Sequence, residues 1–249
     1  MSIIIKSGRE IEVMRQAGKI VATVLETLRT QVEPGMKTKE LDTIAMKQTK
    51  LMGAVPSFKG YHGFPACVCV SINDEIVHGI PGDRVILDGD IVSIDFGVIY
   101  NEFQGDAAIT TGVGNITLEA KKLMEATSGA LTAGINAARP GGHLSDISAA
   151  VQEYAESRGY SVVREYTGHG IGREMHEDPQ IPNFGPPGQG PVLKKGMTLA
   201  LEPMVNIGDW RTRVEDDNWT VRTSDGSLSA HFENTIAITD EGAEILTTL

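Results

Sequence analysis

Five side chains that can ligate divalent metal ions stand in or beside apolar, strand-forming segments of this chain. They are four carboxylates and one imidazole, at Asp95, Asp106, His169, Glu202 and Glu233. A bare charge is costly to bury, so carboxylates in such segments are usually paired or metal-bound. Oxygen-rich ligation with a single imidazole suits Mn, Fe, Co or Zn, whereas a structural zinc site favours cysteine. If the five side chains converge, the pattern predicts a two-metal hydrolase.

Each of these residues, taken alone, has a plainer structural explanation. Asp95 and Asp106 can be solvent-facing residues of an edge hairpin, and Glu233 a solvent-facing strand residue. A lone histidine such as His169 is more often a surface residue or a hydrogen-bonded core residue, although the glycines beside it let the backbone approach a ligand closely. The metal-site interpretation therefore depends on what brings the five residues together.

The spacing of Asp95 and Asp106 predicts that they face each other across a hairpin. The chain turns near residues 100–102, which is also the midpoint between the two acids. A tight turn there would set them directly opposite, with Cβ atoms about 5 Å apart. Like charges at that distance repel each other, so the pair needs either solvent or a compensating charge.

An internal repeat supplies the rest of the arrangement. A helix over 7–32, opened by a Ser7–Glu10 capping box, is followed by a second helix that ends at Gly53. A helix over 118–138 is likewise followed by one that ends at Gly159, which is 106 residues after Gly53. This near-constant offset predicts a single domain over 1–249 built from two repeats, roughly 7–112 and 117–240.

The same offset relates the chemistry-bearing residues. Glu202 lies 107 residues after Asp95, and His169 lies 107 residues after His62. A pseudo-twofold axis between the repeats would make Asp95 and Glu202 face each other, with His62 as the counterpart of His169. The fold predicted is α+β, with helices covering one face of a curved antiparallel sheet. Its strands are expected at 68–72, 91–100, 103–111, 161–165, 198–205 and 231–239, and the loop 183–196 is expected to form a rim.

Composition excludes several functional classes. The net charge is −11 and no basic stripe is present, which argues against a nucleic-acid binder. No apolar run approaches the roughly 18 residues that a membrane span needs, and the N-terminus lacks the apolar region of a signal peptide. The two cysteines, Cys67 and Cys69, are too few for a disulfide framework. We therefore expect a reduced, cytoplasmic protein, taken to be a monomer.

Three segments carry a family resemblance that covers essentially the whole chain. They are 68–81 (VCVSINDEIVHGIP), 168–172 (GHGIG) and 202–204 (EPM). With the five ligand candidates, they resemble the type I methionine aminopeptidases, which share the pita-bread fold with prolidase and aminopeptidase P. The resemblance implies that Asp95 binds one metal, that Asp106 and Glu233 bridge both metals, and that His169 and Glu202 bind the other.

The resemblance also implies roles for residues outside the metal set. Glu202 would act as general base, His176 would stabilise the oxyanion, and His78 would contact the substrate backbone and assist protonation. The pocket for the methionine side chain would be lined by Tyr61, Phe64, Cys69 and Trp219. This chain departs from the family pattern at Phe58, commonly cysteine, and at Met175, often phenylalanine; both are apolar, so fine selectivity is affected more than the reaction.

Two divalent ions (Co, Mn, Fe or Zn) are the implied cofactors, with a monovalent cation near Asn73, Glu75 and Ser229. The implied substrates are N-terminal peptides of nascent proteins with a small second residue, since the loop 185–191 would close the site to bulky neighbours. Transient contact with the ribosome is compatible with such a role.

Three other interpretations compete with this one. A related metallopeptidase that cleaves X-Pro bonds usually carries a separate N-terminal domain. A non-enzymatic peptide-binding relative would lose metal ligands, whereas this chain has all five. A structural helical protein with scattered acids does not explain the repeat.

Overall fold

Two consecutive pairs of helices divide the chain into similar halves. The computed structural model describes residues 2–249. Its helices are α1 (Gly8–Gln31), α2 (Thr38–Leu51), α3 (Leu118–Ala137) and α4 (Leu144–Glu156). The Ser7 side chain accepts a hydrogen bond from the Glu10 amide, and the Glu10 carboxylate accepts one from the Ser7 amide, which confirms the predicted capping box. Gly53 and Gly159 take the left-handed conformation, at φ +70° and +83°, after α2 and α4 as predicted.

Most strands are short, and all strands of the described residues pair antiparallel. In chain order they are β1 (Val55–Pro56), β2 (Cys69–Ile72), β3 (Glu75–Val77), β4 (Ile91–Tyr100), β5 (Phe103–Gly112), β6 (Ser161–Val162), β7 (Thr167–Gly170), β8 (Glu177–Pro182), β9 (Thr198–Leu201), β10 (Met204–Asn206), β11 (Thr212–Val214), β12 (Val221–Thr223), β13 (Ser229–His231), β14 (Glu233–Ile238) and β15 (Ala243–Ile245).

The largest sheet runs β1-β4-β5-β14-β9-β7-β8, with β2 paired to β4 and β15 to β14. In this order β4 and β5 of the first half mirror β9 and β14 of the second, which is the pseudo-twofold arrangement predicted. Two three-stranded sheets, β13-β10-β6 and β11-β12-β3, flank it.

Alternation along β4 separates a helix-facing side from the other side of the sheet. Ile94, Phe96 and Val98 are fully buried in one cluster with Val21 and Leu28 of α1. Asp95 lies between them in sequence and therefore projects from the opposite face. A second cluster joins α3 and α4 to β9 and β14 through Leu131, Ile147, Leu199 and Ile236. The predicted α+β fold, with helices covering one face of the sheet, is confirmed.

Two strands predicted as continuous are each divided between sheets. The segment 198–205 forms β9 in the large sheet and β10 in a small one. The segment 231–239 begins at the last residue of β13, in the same small sheet, and continues as β14 in the large sheet. Pro203 has no amide hydrogen to donate to a ladder, so the chain leaves the large sheet there. Glu202 and Glu233 stand beside these two crossings.

Several short strands escaped prediction, and one predicted strand is shorter than expected. Residues 161–165 contribute only the two residues of β6, and the sequence did not predict β1, β3, β7, β8, β11, β12 and β15. Most have three or four residues, too few for alternation to stand out from the sequence. None of the helices within residues 2–249 combines the length and the apolar character that a membrane span requires.

Candidate metal centre and active site

The five predicted ligand residues line one cavity of about 360 Å³ on the side of the sheet opposite the helices. Ligand atoms of Asp106, His169 and Glu233 lie within 4.8 Å of one another, which suffices for a shared metal ion. Glu202 joins them through an oxygen 3.6 Å from His169 Nε2. The side chains come from β4, β5, β7, the end of β9 and the start of β14, so the centre spans both halves.

The register of the β4–β5 hairpin corrects the predicted pairing of its acids. Asp95 is opposite Ala108, and Asp106 is opposite Gly97, so the two aspartates are diagonal neighbours on one face. The cause is the turn: Asn101 and Glu102 both take positive φ, at 46° and 70°, and form a two-residue hairpin loop. The midpoint of such a turn is half a residue past Asn101, which shifts the pairing away from the predicted one.

The predicted correspondence of His62 with His169 is wrong. His169 pairs with Ala200 in the sheet, and Ala200 lies 107 residues after Ser93, whose partner is Ser71. His62 instead lies on a short 3₁₀ turn at Tyr61–Gly63 and is exposed at the mouth of the cavity. Ser71 is therefore the residue of the first half that occupies the position of His169.

The orientation of His169 leaves one ring nitrogen facing the acids. Its Nδ1 lies 2.9 Å from the Gly170 carbonyl oxygen, which can only accept, so Nδ1 carries the proton. Nε2, on the side of Glu202, is then the unprotonated nitrogen. Burial lowers the pKa of His169 to about 3, with a further contribution from His176, and this keeps the ring neutral and able to ligate.

Burial of the four acids in ionised form is unfavourable, and a cation beside them would offset that penalty. Burial raises the pKa of Asp95 to about 7, and burial together with the charges of the neighbouring acids raises the pKa values of Asp106, Glu202 and Glu233 well above their usual range. Within the described chain, Asp95 Oδ1, Asp106 Oδ1 and Glu233 Oε1 are buried without a hydrogen-bond partner. Unpartnered oxygens beside an unprotonated imidazole nitrogen fit divalent cations well.

An apolar pocket adjoins the acids. Phe64, Cys69 and Trp219 form one wall, with the Phe64 and Trp219 rings edge to face at 5.1 Å between centroids. Cys69 is opposite Asp95 in the sheet register, and burial with the charges of the nearby acids raises the pKa of its thiol, so it stays neutral. The structure thus brings the predicted pocket residues together with the predicted ligands.

His176 stands at the mouth of the cavity between Tyr61 and His169. The Tyr61 hydroxyl lies 2.7 Å from His176 Nδ1, and the ring centroids of His176 and His169 are 4.3 Å apart. Burial and the nearby His62 lower the pKa of His176, which favours the neutral ring. If the hydroxyl donates to Nδ1, the hydrogen of the ring is on Nε2.

His78 follows β3 and has the left-handed φ of 61°, which is strained for a residue with a Cβ. Its ring approaches Tyr166 and Trp219 edge to face, at 5.8 and 6.2 Å. Burial, with a smaller contribution from His176, lowers the pKa of His78 to about 4, so the ring is neutral near pH 7.

A charged cluster beneath the pocket fixes the hairpin that carries Trp219. Arg222 on β12 forms ion pairs with Asp74, Glu75 and Glu215, at 2.7, 2.7 and 3.1 Å. Glu75 also pairs with Arg84 and accepts a hydrogen bond from the Ile72 amide at 2.7 Å. These contacts join the β11–β12 hairpin to the β2–β3 segment, which carries Cys69 and His78.

Some pocket residues were not predicted as part of the site, and one predicted feature lies elsewhere. Val77 and His62 line the cavity, as do Phe58 and Met175, the two positions that depart from the family pattern. Their apolar type alone does not distinguish them from core. The loop 183–196 is absent from the lining; it packs on α4, where the Ser145 amide donates to Gln189 and the Gly185 amide to Gln152. The prediction that 185–191 closes the site is therefore wrong.

Comparison with known proteins agrees with this geometry. The model of metallopeptidase family M24 matches residues 12–240. Methionine aminopeptidase 1 of Bacillus subtilis is 56% identical over 245 residues, covering 98% of this chain and 99% of the relative.

Solved structures extend the comparison. The crystal structure of methionine aminopeptidase from Thermotoga maritima superimposes with a TM-score of 0.98 at 49% identity, over the full length of both chains. Prolidase from Pyrococcus furiosus is more distant, with a TM-score of 0.82 and 26% identity, and this chain covers only 66% of its length. Full-length identity to the first group, and partial coverage of the second, show that this chain belongs to metallopeptidase family M24 as a member of its methionine aminopeptidases.

Proposed function

We propose that this protein removes the initiator methionine from nascent proteins and peptides. The observation that carries the proposal is the set of four carboxylates and one imidazole beside an apolar pocket, all buried except the partly exposed Glu202. The pocket walls, Phe64, Cys69, Met175 and Trp219, offer aromatic and sulfur contacts that suit an unbranched thioether. The high identity to methionine aminopeptidases supports the same activity.

The five ligand candidates would hold two divalent ions. Asp95 would bind one ion, His169 and Glu202 the other, and Asp106 and Glu233 would bridge them. When bound, the ions would lower the pKa of a water molecule and polarise the scissile carbonyl group. Co, Mn, Fe and Zn all suit this donor set, and the segments at Asn73 and Ser229, joined by a hydrogen bond of 2.9 Å, are our candidates for a monovalent cation site.

The other polar residues have distinct tasks in this proposal. The Glu202 carboxylate takes a proton from the attacking water and later passes it to the leaving amine. His176 donates from Nε2 to the developing oxyanion, with the Tyr61 hydroxyl fixing the ring from its other nitrogen. His78 contacts the substrate backbone and assists protonation of the leaving group. Tyr61, Phe64, Cys69 and Trp219 enclose the methionine side chain.

We further propose cytoplasmic action, as a monomer, on N-terminal peptides that emerge from the ribosome, with a preference for a small second residue. With the 185–191 loop away from the cavity, the groups at its mouth, His62 and His176, are our candidates for limiting the second side chain.

The test is the release of free methionine from Met-Ala-Ser by the protein supplied with Mn²⁺, Fe²⁺, Co²⁺ or Zn²⁺ after chelation. We expect metal-dependent release, slower cleavage of Met-Leu and Met-Phe peptides, and negligible cleavage of Ala-Pro peptides. Preferential cleavage of Ala-Pro would instead indicate an X-Pro peptidase, and activity that survives full chelation would contradict the metal-dependent mechanism. Metal analysis of protein purified without added metal identifies the resident ion.

A further inference from the structure

A buried lysine connects the N-terminal segment to the strand beside His176. Lys6 is only 5% exposed, and its Nζ forms an ion pair with the Glu177 carboxylate, whose side chain is also 5% exposed. The Lys6 amide donates to the Gly196 carbonyl at 2.8 Å, which fixes the segment to the turn before β9. Glu177 is the first residue of β8 and directly follows His176.

The same carboxylate holds the loop that carries His176. The loop 171–176 joins β7 to β8, and Glu177 Oε1 accepts a hydrogen bond from the Arg173 amide at 2.9 Å. The Gly172 carbonyl accepts from the Gln104 amide at 2.8 Å, on β5. One oxygen of Glu177 therefore faces the loop and the other faces Lys6. A displacement of the carboxylate would consequently displace the loop through the hydrogen bond to the Arg173 amide.

Two glycines make room for this contact. A Cβ at Gly172, the last residue of the GHGIG segment, would overlap the Glu177 carboxylate and the Lys6 side chain. A Cβ at Gly196 would lie 2.7 Å from the Lys6 carbonyl oxygen, and Gly196 also has φ +89°. Gly172 has no side chain that could ligate a metal ion. The space that the ion pair needs explains why a glycine occupies this position.

Burial distinguishes this pair from the other ion pairs of lysine and arginine among the described residues. The Lys195 and Asp240 side chains, which also pair, are 66% and 75% exposed. Exposed pairs contribute little, and a buried pair is often no more stabilising than apolar residues of the same size. The geometry of the Lys6–Glu177 pair, next to the candidate catalytic residue His176, therefore says more about its role than any contribution to the free energy of unfolding.

We propose that the Lys6–Glu177 ion pair is a positioning contact that holds the 171–176 loop and thereby the His176 imidazole. This inference rests on the proposed function, in which His176 stabilises the oxyanion. Lys6 and Glu177 are positioning residues, because neither contacts the cavity that would hold substrate. Tyr61 fixes the His176 ring from the cavity side, and the ion pair fixes its backbone from behind.

The test combines Lys6→Met and Glu177→Gln with His176→Ala. Lys6→Met alone leaves a buried carboxylate unpaired and can impair folding, whereas the double variant Lys6→Met/Glu177→Gln has no unpaired charge and keeps an acceptor for the loop amide. We expect the double variant to lower kcat for Met-Ala-Ser roughly tenfold, with KM and Mn²⁺ affinity nearly unchanged, because small displacements of a catalytic group reduce rate. In the His176→Ala background the same pair of substitutions should change kcat by less than about twofold. Lys195→Met, which disrupts an exposed pair of the same type, is the matched control.

A readout independent of activity is the NMR spectrum of the histidine rings in the metal-free protein. The His176 signals, assigned by their loss in His176→Ala, should shift or broaden in the double variant, while those of His143 on the far side should not. An unchanged His176 signal, or the same loss of kcat with and without His176, would overturn the inference. Full kcat in His176→Ala would remove the role of His176 and this inference with it, yet metal-dependent methionine release would still support the proposed activity.

Discussion

At the scale of single residues, the centre consists of carboxyl groups whose burial disfavours their ionised form. Asp106 is 4% exposed, and burial and the charge of Asp95 raise the pKa of its carboxyl group. Its Oδ1 has no hydrogen-bond partner among the described residues. Such a group is stable as an ion only when a cation lies beside it. The burial that makes the Asp106 carboxylate unfavourable in the metal-free protein is therefore also what suits it to bind a metal ion.

Asp106→Asn should separate these two effects. The amide keeps the shape of the side chain and loses the charge, so we expect kcat/KM to fall by more than the roughly 100-fold that loss of an outer-shell metal contact causes. Metal-free Asp106→Asn should be about 1–3 kcal/mol more stable than the metal-free parent at pH 8, because folding of the parent must either bury the Asp106 charge or protonate the carboxyl group, and the amide requires neither. Thermal unfolding and methionine release measure the two effects. Asp83→Asn, at an exposed acid, is the control, and full activity of Asp106→Asn would contradict the metal assignment.

Tyr61→Phe tests the hydrogen bond to His176 Nδ1. The phenyl ring still lines the pocket, so KM for Met-Ala-Ser should change little, while kcat should fall about tenfold because the His176 ring is no longer held in one tautomer and orientation. Tyr100→Phe, at the far end of β4, serves as control. A rise in KM with unchanged kcat would indicate that Tyr61 contributes only to the pocket wall.

At the scale of elements, the β4–β5 hairpin sets the spacing of the two aspartates. The diagonal register places Gly97, not Asp95, opposite Asp106. A Cβ at Gly97 would lie 2.9 Å from Met175 Cε, 3.0 Å from Phe58 Cε1 and 3.2 Å from Asp106 Oδ1. The missing side chain therefore leaves room both for the apolar pocket and for the aspartate oxygen.

Gly97→Ala should weaken metal binding without unfolding the hairpin. The added methyl group presses on Asp106 Oδ1 and on Met175, so Mn²⁺ affinity measured by calorimetry should fall about tenfold, a change of about 1.4 kcal/mol. Gly8→Ala is the matched control, because a Cβ there meets no atom within 4 Å. Equal metal affinity in both variants would show that the space at Gly97 is not needed by the centre.

At the scale of the whole molecule, metal binding and folding are coupled because both halves supply ligands. The pKa of Asp95 is raised to about 7 by burial, and those of Asp106, Glu202 and Glu233 are raised well above their usual values by burial and by the charges of neighbouring acids. A carboxyl group with a raised pKa contributes stability that is present below its unfolded pKa and is lost as pH rises through the folded value. The half-buried His78 and the buried His169 and His231 have lowered pKa values of about 4, 3 and 3, and act in the opposite direction only below about pH 6.5.

Between pH 6.5 and 8.5 the carboxylates therefore decide the sign. We expect the metal-free protein to lose stability over this range, by up to about 1.4 kcal/mol per pH unit for each carboxyl group that is protonated in the folded protein and ionised in the unfolded chain. The increase in melting temperature on adding Mn²⁺ should grow over the same range, because metal and protons compete for the same oxygens. Asp106→Asn should show a shallower dependence. A metal-induced increase that shrinks with pH would contradict a carboxylate site.

The pseudo-twofold arrangement explains why neither half holds the centre alone. β4 and β5 bring Asp95 and Asp106, whereas β7, β9 and β14 bring or adjoin the other three ligands. The order β4-β5-β14-β9 places these strands side by side at the seam between the halves. The repeat limits of about 7–112 and 117–240, within one domain over 1–249, remain a prediction.

The sequence by itself determined the helices, the longer strands and the kinds of ligand. Ser7 with Glu10, and the glycines at 53 and 159, act through local hydrogen bonds and backbone conformation, so their outcome is visible in the sequence. The constant offset between Asp95 and Glu202 indicated a shared axis, because equivalent strands end at equivalent places. Glu233 joined the predicted metal ligands through the family pattern, because its neighbours in the sequence did not by themselves indicate a metal site.

The tertiary structure decided the features that depend on pairing between distant segments. The hairpin register moved Asp106 from opposite Asp95 to opposite Gly97, and strand pairing assigned the position of His169 in the first half to Ser71 instead of His62. The division of 198–205 and 231–239 between two sheets, and the distance of the 185–191 loop from the cavity, likewise follow from packing. Side-chain type shows which atoms can bind a metal, whereas convergence depends on long-range contacts whose partners are separated by a hundred residues or more, as Asp106 and Thr235 are.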